Sequence, residues 1–468
     1  MKRKEKPNFR DSCKTEENKK ISFMDEVAVR LKDKTEFKGI MMQSPENDNR
    51  VFIKLDNGYN IGFNPENIEE ISILRKASKH NEEETLKKQE GIEQIAMEKD
   101  DKKPLITIIH TGGTIASRID YKTGAVVANF TPKEILSLFP EINSFARIKS
   151  IFLANIWSQD IRFSHYNLIS KEIKKEIDSG VDGIIVTHGT DTLHYTSAAL
   201  SFILEDLGVP VILVGSQRSS DRASSDSALN LMNAVFFIAR TDFSGVAICM
   251  HNSTNDDFCA ILPGLKARKM HTSRRDAFKP INSKPIALVD YKKDEIKFLT
   301  ENYSRKDKKK KVNLKLFDEK VRVAVLKQHT NMFAEEFGFF KNYDGLVIES
   351  TGLGNLPISS NDNLTSEHKK IFETLKEMIK NGVVVVLAPQ TIYGRINMNV
   401  YENQRKQKDI GILGNNIDMT PETTFIKLAW LLSNYSKAEI AKKDLISKNF
   451  RGEISERTGL EFDVYDCN

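Results

Sequence analysis

Apolar and polar positions follow different periods along this chain, and the changes of period divide it. Between 25 and 74, short runs such as Val27-Ala28-Val29-Arg30-Leu31, Phe37-Lys38-Gly39-Ile40 and Val51-Phe52-Ile53-Lys54-Leu55 are separated by turn-rich pieces such as Ser44-Pro45-Glu46-Asn47-Asp48 and Asp56-Asn57-Gly58. This spacing predicts strands joined by tight turns, about five of them, closing a small β-barrel. From 105 onward the pattern changes. Continuous apolar runs at 105–109 (LITII), 183–187 (GIIVT), 209–214 (VPVILV) and 246–250 (VAICM) alternate with helical segments at 192–207 and 225–240. Strands apolar throughout are buried on both faces, so the alternation predicts βαβ units around a parallel sheet. A smaller set follows, with strands at 321–326, 345–349 and 383–388 and a helix at 366–380. Thr420, Pro421 and Glu422 then supply a cap, a first-turn proline and an acidic first turn for a helix running to 434.

These periods predict an α/β protein with two parallel-sheet domains behind a small β-barrel. The expected divisions are a disordered N-terminus (1–22), the β-barrel domain (23–74), a charged linker (75–103), a first α/β domain (104–300), a basic linker (301–319), a second α/β domain (320–435) and a polar C-terminal tail (436–468). Composition adds little to this picture. Lys and Arg number 70 against 65 Asp and Glu, a net charge of +5 that permits a nucleic-acid partner without demanding one. The run RKDKKKK at 305–311 lacks interleaved aromatics, so a solvated linker is favoured over a nucleic-acid arm. Cys13, Cys249, Cys259 and Cys467 have no ligand spacing, and Cys249 and Cys259 are expected as buried thiols. The first ten residues are charged and no apolar run reaches membrane-spanning length, so a soluble cytoplasmic protein is expected.

Candidate chemistry sits where two of the apolar runs end. The first run stops at His110-Thr111-Gly112-Gly113-Thr114, the second at His188-Gly189-Thr190-Asp191. Each presents a threonine just beyond the carboxyl end of a predicted strand, where open α/β sheets bind ligands. A hydroxyl is a weak nucleophile at its free pKa and needs a base nearby. Five cations at 264–278, Lys266, Arg268, Lys269, Arg274 and Arg275, are candidates that spacing alone does not rank; a desolvated lysine could take a hydroxyl proton. Asp191 could bind an ammonium group, or it or Thr192 could simply cap the next helix. Ser158-Gln159 could hold a carboxylate or form a plain turn. His110 and His188 lack metal-ligand spacing and read as packed imidazoles. No P-loop, dinucleotide fingerprint, HExxH or GxSxG is present.

The stretches Thr111-Gly112-Gly113-Thr114-Ile115-Ala116 and His188-Gly189-Thr190-Asp191-Thr192, in this order and each after a strand, resemble the paired signature of the bacterial-type L-asparaginases, two-domain α/β amidohydrolases. That resemblance implies Thr114 as the acyl-accepting nucleophile, with Thr190, Lys269 and Asp191 as a second catalytic set. Ser158, Gln159 and Asp191 would grip the α-carboxylate and α-ammonium, Gly113 would contribute to the substrate site, and Tyr121 would be a lid tyrosine. No metal is implied. The added N-terminal β-domain, HYTSAALSF (194–202), RKMHTSRRDAF (268–278), RINMNVY (395–401) and RGEISER (451–457) resemble, over nearly the whole chain, the D-subunit family of archaeal glutamyl-tRNA(Gln) amidotransferases. Such a protein releases ammonia from glutamine with no cofactor of its own. An E-subunit partner, using ATP and Mg, would bind the tRNA and convert Glu-tRNA(Gln) to Gln-tRNA(Gln), with two copies of the ammonia-releasing chain forming a homodimer within a heterotetramer. Gln159 stands where this family has an acidic residue, and Ser-Gln is the asparaginase-like form, so glutamine and asparagine both stay open as amide donors. A free-standing asparaginase or glutaminase is the alternative, and a non-catalytic RNA-binding protein on the same scaffold a further one.

Overall fold

The apolar runs that the sequence places in one sheet do become neighbours, in an order that creates a crevice. The computed structural model describes residues 21, 25–42, 50–55, 60–76, 102–113, 117–120, 125–128, 141–219 and 225–458. Among them, Arg147–Phe152, Leu105–His110, Gly183–Thr187, Pro210–Val214 and Phe243–His251 lie side by side in that order, all parallel. The first of these strands in the chain lies between the second and the third. The connections that leave Leu105–His110 and its neighbour Gly183–Thr187 therefore run in opposite directions, and a crevice opens between the carboxyl ends of these two strands. Three antiparallel strands that the periodicity does not reveal, Cys259–Pro263, Ala287–Asp290 and Glu295–Phe298, extend the far edge.

Strand period explains the layers. Ile106, Ile108, Ile185 and Ile212 point to one face, where they meet Leu231, Val235 and Phe236 of the helix Ser227–Arg240. Ile109, Ile184, Val186 and Leu213 point to the other, against Ile169, Ile173, Leu193 and Leu200 of the helices Phe163–Asp178 and Leu193–Ile203. The latter helix ends earlier than the apolar pattern suggests, because Leu204–Glu205 leaves it to pair with Asn313–Leu314.

The second α/β unit holds parallel strands Val323–Lys327, Gly345–Ser350 and Val384–Pro389. Its helix Pro421–Asn434 starts as the sequence reads, with Thr420 Oγ1 accepting from Thr423 N at 3.2 Å. This helix joins the two units. Ala198, Ala199 and Phe202 pack against Ile426, Ala429 and Trp430, with Phe202 and Trp430 stacked at 5.3 Å.

The N-terminal strands are Glu26–Leu31, Glu36–Met42, Val51–Lys54, Asn60–Phe63 and Ile68–Arg75, in one antiparallel sheet. Its end strands, Asn60–Phe63 and Ile68–Arg75, do not pair with each other among the described residues, so closure into a barrel is not part of the ladder.

Two segments differ from the sequence reading. The basic run is not a free linker. Ser304–Arg305 pairs with Phe243–Ser244, Asp307 N donates to Gly208 O at 3.0 Å, and Lys306 Nζ donates to Ile238 O at 2.7 Å. Arg305 and Lys308 are ion-paired to Asp242 and to Asp182, so two of the six cations in the run are neutralised in place. The polar tail is likewise built in. Ser436 caps the short helix Lys437–Lys442, and Ile440, Leu445 and Ile446 enter the core. Beyond them the Lys427 ammonium and the Glu453 carboxylate, both fully buried, meet at 2.7 Å. A polar composition hides such a tail because a few anchors suffice to order it.

Candidate active site

Register brings the two glycine turns together. His110 is paired with Thr187 across the central strands, so the turns that follow begin at the same level of the sheet. Thr111 Oγ1 then donates to Thr187 O at 2.7 Å. Gly113 has φ +86°, and a Cβ there would lie 2.4 Å from Gly189 N, so only glycine allows the two turns to touch. A third loop closes on them. Ile156 N donates to Thr111 O at 2.9 Å, Thr192 Oγ1 donates to Ser158 O at 2.6 Å, and a Cβ on Gly189 would meet Ser158 Oγ at 2.8 Å.

The result is a cleft of about 190 Å³ whose lining includes Gly113, Ser158, Gln159, Thr190, Asp191 and Lys269. Thr114 and Tyr121 lie outside the described residues; Gly113, the residue directly before Thr114, lines the cleft wall. At its centre, Lys269 Nζ donates to Thr190 Oγ1 at 2.9 Å and pairs with Asp191 Oδ1 at 2.7 Å. Thr190 is buried, Lys269 nearly so, and the Asp191 side chain is 65% exposed. Neither Asp191 nor Thr192 caps the following helix with its side chain: Thr192 fixes Ser158 instead, and Asp191 faces Lys269.

The structure also ranks the cations. Lys266 is buried on Asp418 at 2.8 Å, Arg268 pairs with Glu422 at 2.9 Å, Arg274 pairs with Asp276 at 2.9 Å, and Arg275 pairs with Asp256. Of the five only Lys269 lines the cleft. It is held there by the ribbon Ala267–Lys269, which pairs with Phe278–Pro280. Ser158 is buried and Gln159 exposed, on one turn, Ser158–Asp160. Sequence reading overlooks Trp157, Gln217, Thr272 and Ser273, which also line the cleft. Gln217 follows the strand Pro210–Val214, so its position beyond a strand's carboxyl end was the available signal.

The histidines behind the turns are structural in geometry. His188 Nδ1 donates to Gly189 O at 2.6 Å, which leaves Nε2 to accept from Thr196 Oγ1 at 2.8 Å. His110 spans Thr187 Oγ1 and Ser150 Oγ at 3.1 and 2.9 Å. Burial pushes both, and His194, down to about 4. The unfolded chain binds protons on these rings near 6.5, so between pH 6.5 and 4 it takes up more protons than the fold, and stability falls as pH falls. At pH 5 each ring is expected to cost about 2 kcal/mol. Urea midpoints at pH 7 and pH 5 check this: a pronounced drop is expected, and His188→Gln, compared with its own value at pH 7, is expected to shrink it.

Cys249 and Cys259 are buried thiols, as the sequence suggests. Among the described residues no cluster of His, Cys, Asp and Glu is arranged to hold a metal ion, and no helix is long and apolar enough to cross a membrane.

Known proteins align with this architecture piece by piece. Residues 105–304 match the family model "Asparaginase, N-terminal", 322–443 the "Glutaminase/Asparaginase C-terminal domain" and 21–74 the "GatD N-terminal domain". Among solved structures, the thermostable L-asparaginase from Thermococcus kodakarensis superposes with a TM-score of 0.64 at 28% identity, over 75% of this chain and 100% of its own. L-asparaginase I from Vibrio cholerae does so at 26% identity with the same TM-score of 0.64, over 75% of this chain and 99% of its own. The glutamyl-tRNA(Gln) amidotransferase D-subunit of Pyrococcus furiosus is 42% identical over 436 residues, 92% of this chain and 94% of that one. Its counterpart in Thermofilum pendens is 39% identical over 450 residues, covering 95% of both chains. With identity at this level over all three matched segments, the chain belongs to the D-subunit family of the glutamyl-tRNA(Gln) amidotransferases.

Proposed function

We propose that the cleft hydrolyses the side-chain amide of glutamine and supplies the ammonia to a partner protein that converts Glu-tRNA(Gln) to Gln-tRNA(Gln). The observation that carries this reading is the Lys269–Thr190–Asp191 cluster, with Nζ–Oγ1 at 2.9 Å, beside the turn that leads into Thr114.

Thr114 Oγ attacks the amide carbon, forming an ester as the C–N bond breaks. The hydroxyl proton passes through the Thr190–Lys269 pair to the departing nitrogen, which leaves as ammonia. Water then cleaves the ester, so that glutamine and water yield glutamate and ammonia. Backbone N–H groups near Gly113 face the developing oxyanion. Ser158 and Gln159 bind the α-carboxylate, Asp191 the α-ammonium, and Tyr121 covers the bound amino acid. This chain needs no cofactor for these steps. ATP and Mg serve the E-subunit partner, which also carries most of the tRNA contact. A homodimer within a heterotetramer, acting in the cytoplasm, completes the reading.

A second reading, a free-standing asparaginase, is favoured by one observation: Gln159 on the cleft wall is the asparaginase-like residue. Ammonia release from glutamine and from asparagine, alone and with the E-subunit partner, ATP and Glu-tRNA(Gln), separates them. Glutamine hydrolysis that rises when the partner and the charged tRNA are added is expected. Release indifferent to both identifies a free enzyme, and no release under any condition identifies a binding protein.

A further inference from the structure

Gln217 has an amide whose two ends are treated differently. Its Oε1 lies 3.5 Å from Thr190 Oγ1, which donates to it, while Lys269 Nζ donates to the same Thr190 oxygen. Its Nε2 is buried and has no hydrogen-bond partner among the described residues, although the side chain lines the cleft. A buried amide N–H without an acceptor costs about 1–3 kcal/mol, so a built site that contains one is expected to meet its acceptor when ligand binds.

The backbone that carries this side chain is firmly held. Asp226, fully buried, accepts from Gln217 N with both oxygens at 3.0 Å, from Arg218 N at 3.1 Å, from Ser216 Oγ at 2.8 Å and from Asn230 Nδ2 at 3.1 Å. Asp226 directly precedes the helix Ser227–Arg240, and its carboxylate turns back to fix the 215–218 loop instead of capping that helix. A loop fixed before substrate arrives limits how far its side chains must reorganise to meet developing charge.

We propose that Gln217 is a substrate-contacting residue whose Nε2 donates to the carbonyl oxygen of the amide being hydrolysed, while its Oε1 orients the Thr190 hydroxyl. This rests on the reading of the cleft as an amide-hydrolysing site. The reacting carbonyl is the acceptor because Gln217 touches Thr190, the hydroxyl that Lys269 contacts, so its N–H lies at the reacting end of the cleft. A donor to an oxygen that gains charge only in the transition state acts on kcat and leaves KM little changed.

The test compares the intact wild-type protein with Gln217→Leu and Gln217→Glu, assayed with the E-subunit partner and Glu-tRNA(Gln) for kcat and KM on glutamine. Thermal midpoints are measured in parallel. Gln217→Glu keeps an oxygen for Thr190 and every backbone contact with Asp226, so it tests the donor even where leucine unsettles the loop. Both variants are expected to lose roughly 100-fold in kcat with near-normal KM and midpoint. Wild-type kcat in either variant with the fold intact overturns the assignment, and so does a raised KM at unchanged kcat, which would place the donor on the α-carboxylate. A wild-type protein that releases no ammonia overturns the underlying reading and this inference with it.

Discussion

Lys269→Met is expected to lower kcat for glutamine hydrolysis by about 10³-fold while leaving the protein folded. The lysine makes two side-chain contacts, with Thr190 Oγ1 at 2.9 Å and Asp191 Oδ1 at 2.7 Å, and the Asp191 carboxylate is 65% exposed. An ion pair with one exposed partner contributes about 1 kcal/mol or less, too little to unfold the chain, so the lost rate reports chemistry. Lys269→Arg is not expected to restore it. A guanidinium does not give up its proton at any working pH and so cannot relay one to the departing nitrogen, and its planar fork does not match a single ammonium position. Thr190→Val is expected to cost a similar factor, and Lys269→Met combined with Thr190→Val little more than either alone, because the two groups act as one unit. Rapid-quench measurement of ammonia release with the wild type, Lys269→Met, Thr190→Val and the double variant checks this. Multiplicative losses would show that the two residues act independently.

The second large effect concerns stability. Lys427→Met is expected to destabilise the protein by about 3–5 kcal/mol, because it leaves the Glu453 carboxylate buried without its cation. Both side chains are fully buried at 2.7 Å, and Lys427 Nζ also donates to Ile446 O and Lys448 O at 2.7 and 2.6 Å. Burial pushes the Lys427 amine below its ordinary value, against the pull of Glu453, so the charged form is held by its partners and not by solvent. Glu453 accepts from Phe450 N and Arg451 N, so losing the pair loosens the turn that aims Arg451 at Glu205. Chemical denaturation of Lys427→Met, Glu453→Gln and the double variant checks the account. The double variant is expected to be more stable than the sum of the two single losses implies. Strict additivity would mean that the pair is not coupled.

The parts of the fold that rest on repeated burial were legible in the sequence. Strands such as Pro210–Val214 are apolar at every position because both faces are covered, and no tertiary detail is needed to see it. The Thr420-Pro421-Glu422 start was equally plain, since capping is local chemistry. Less visible were elements whose cause is distant. The antiparallel strand Cys259–Pro263 is recognisable only through its partner, and the basic run near Arg305 is pinned by Asp242 and Asp182, which lie far upstream in the chain. The site divides the same way. Paired glycine turns carry Gly113 and Thr190 in readable motifs, whereas spacing left Lys269 level with Lys266; the family resemblance named Lys269, and the fold supplies the physical reason, since Asp418 takes Lys266. Gln217 carried no motif at all. Its place depends on Asp226, further along the chain, which holds its backbone, and on a strand end that only the folded sheet brings beside Thr190.

The most direct measurement is covalent trapping of the nucleophile. A glutamine analogue with a diazoketone in place of its amide alkylates the group that attacks that carbon, and peptide mass spectrometry locates the bond. The account predicts a single adduct on Thr114, suppressed by excess glutamine and slowed when Lys269 is replaced by methionine. An adduct on any residue other than Thr114, or labelling at an unchanged rate without Lys269, would contradict it.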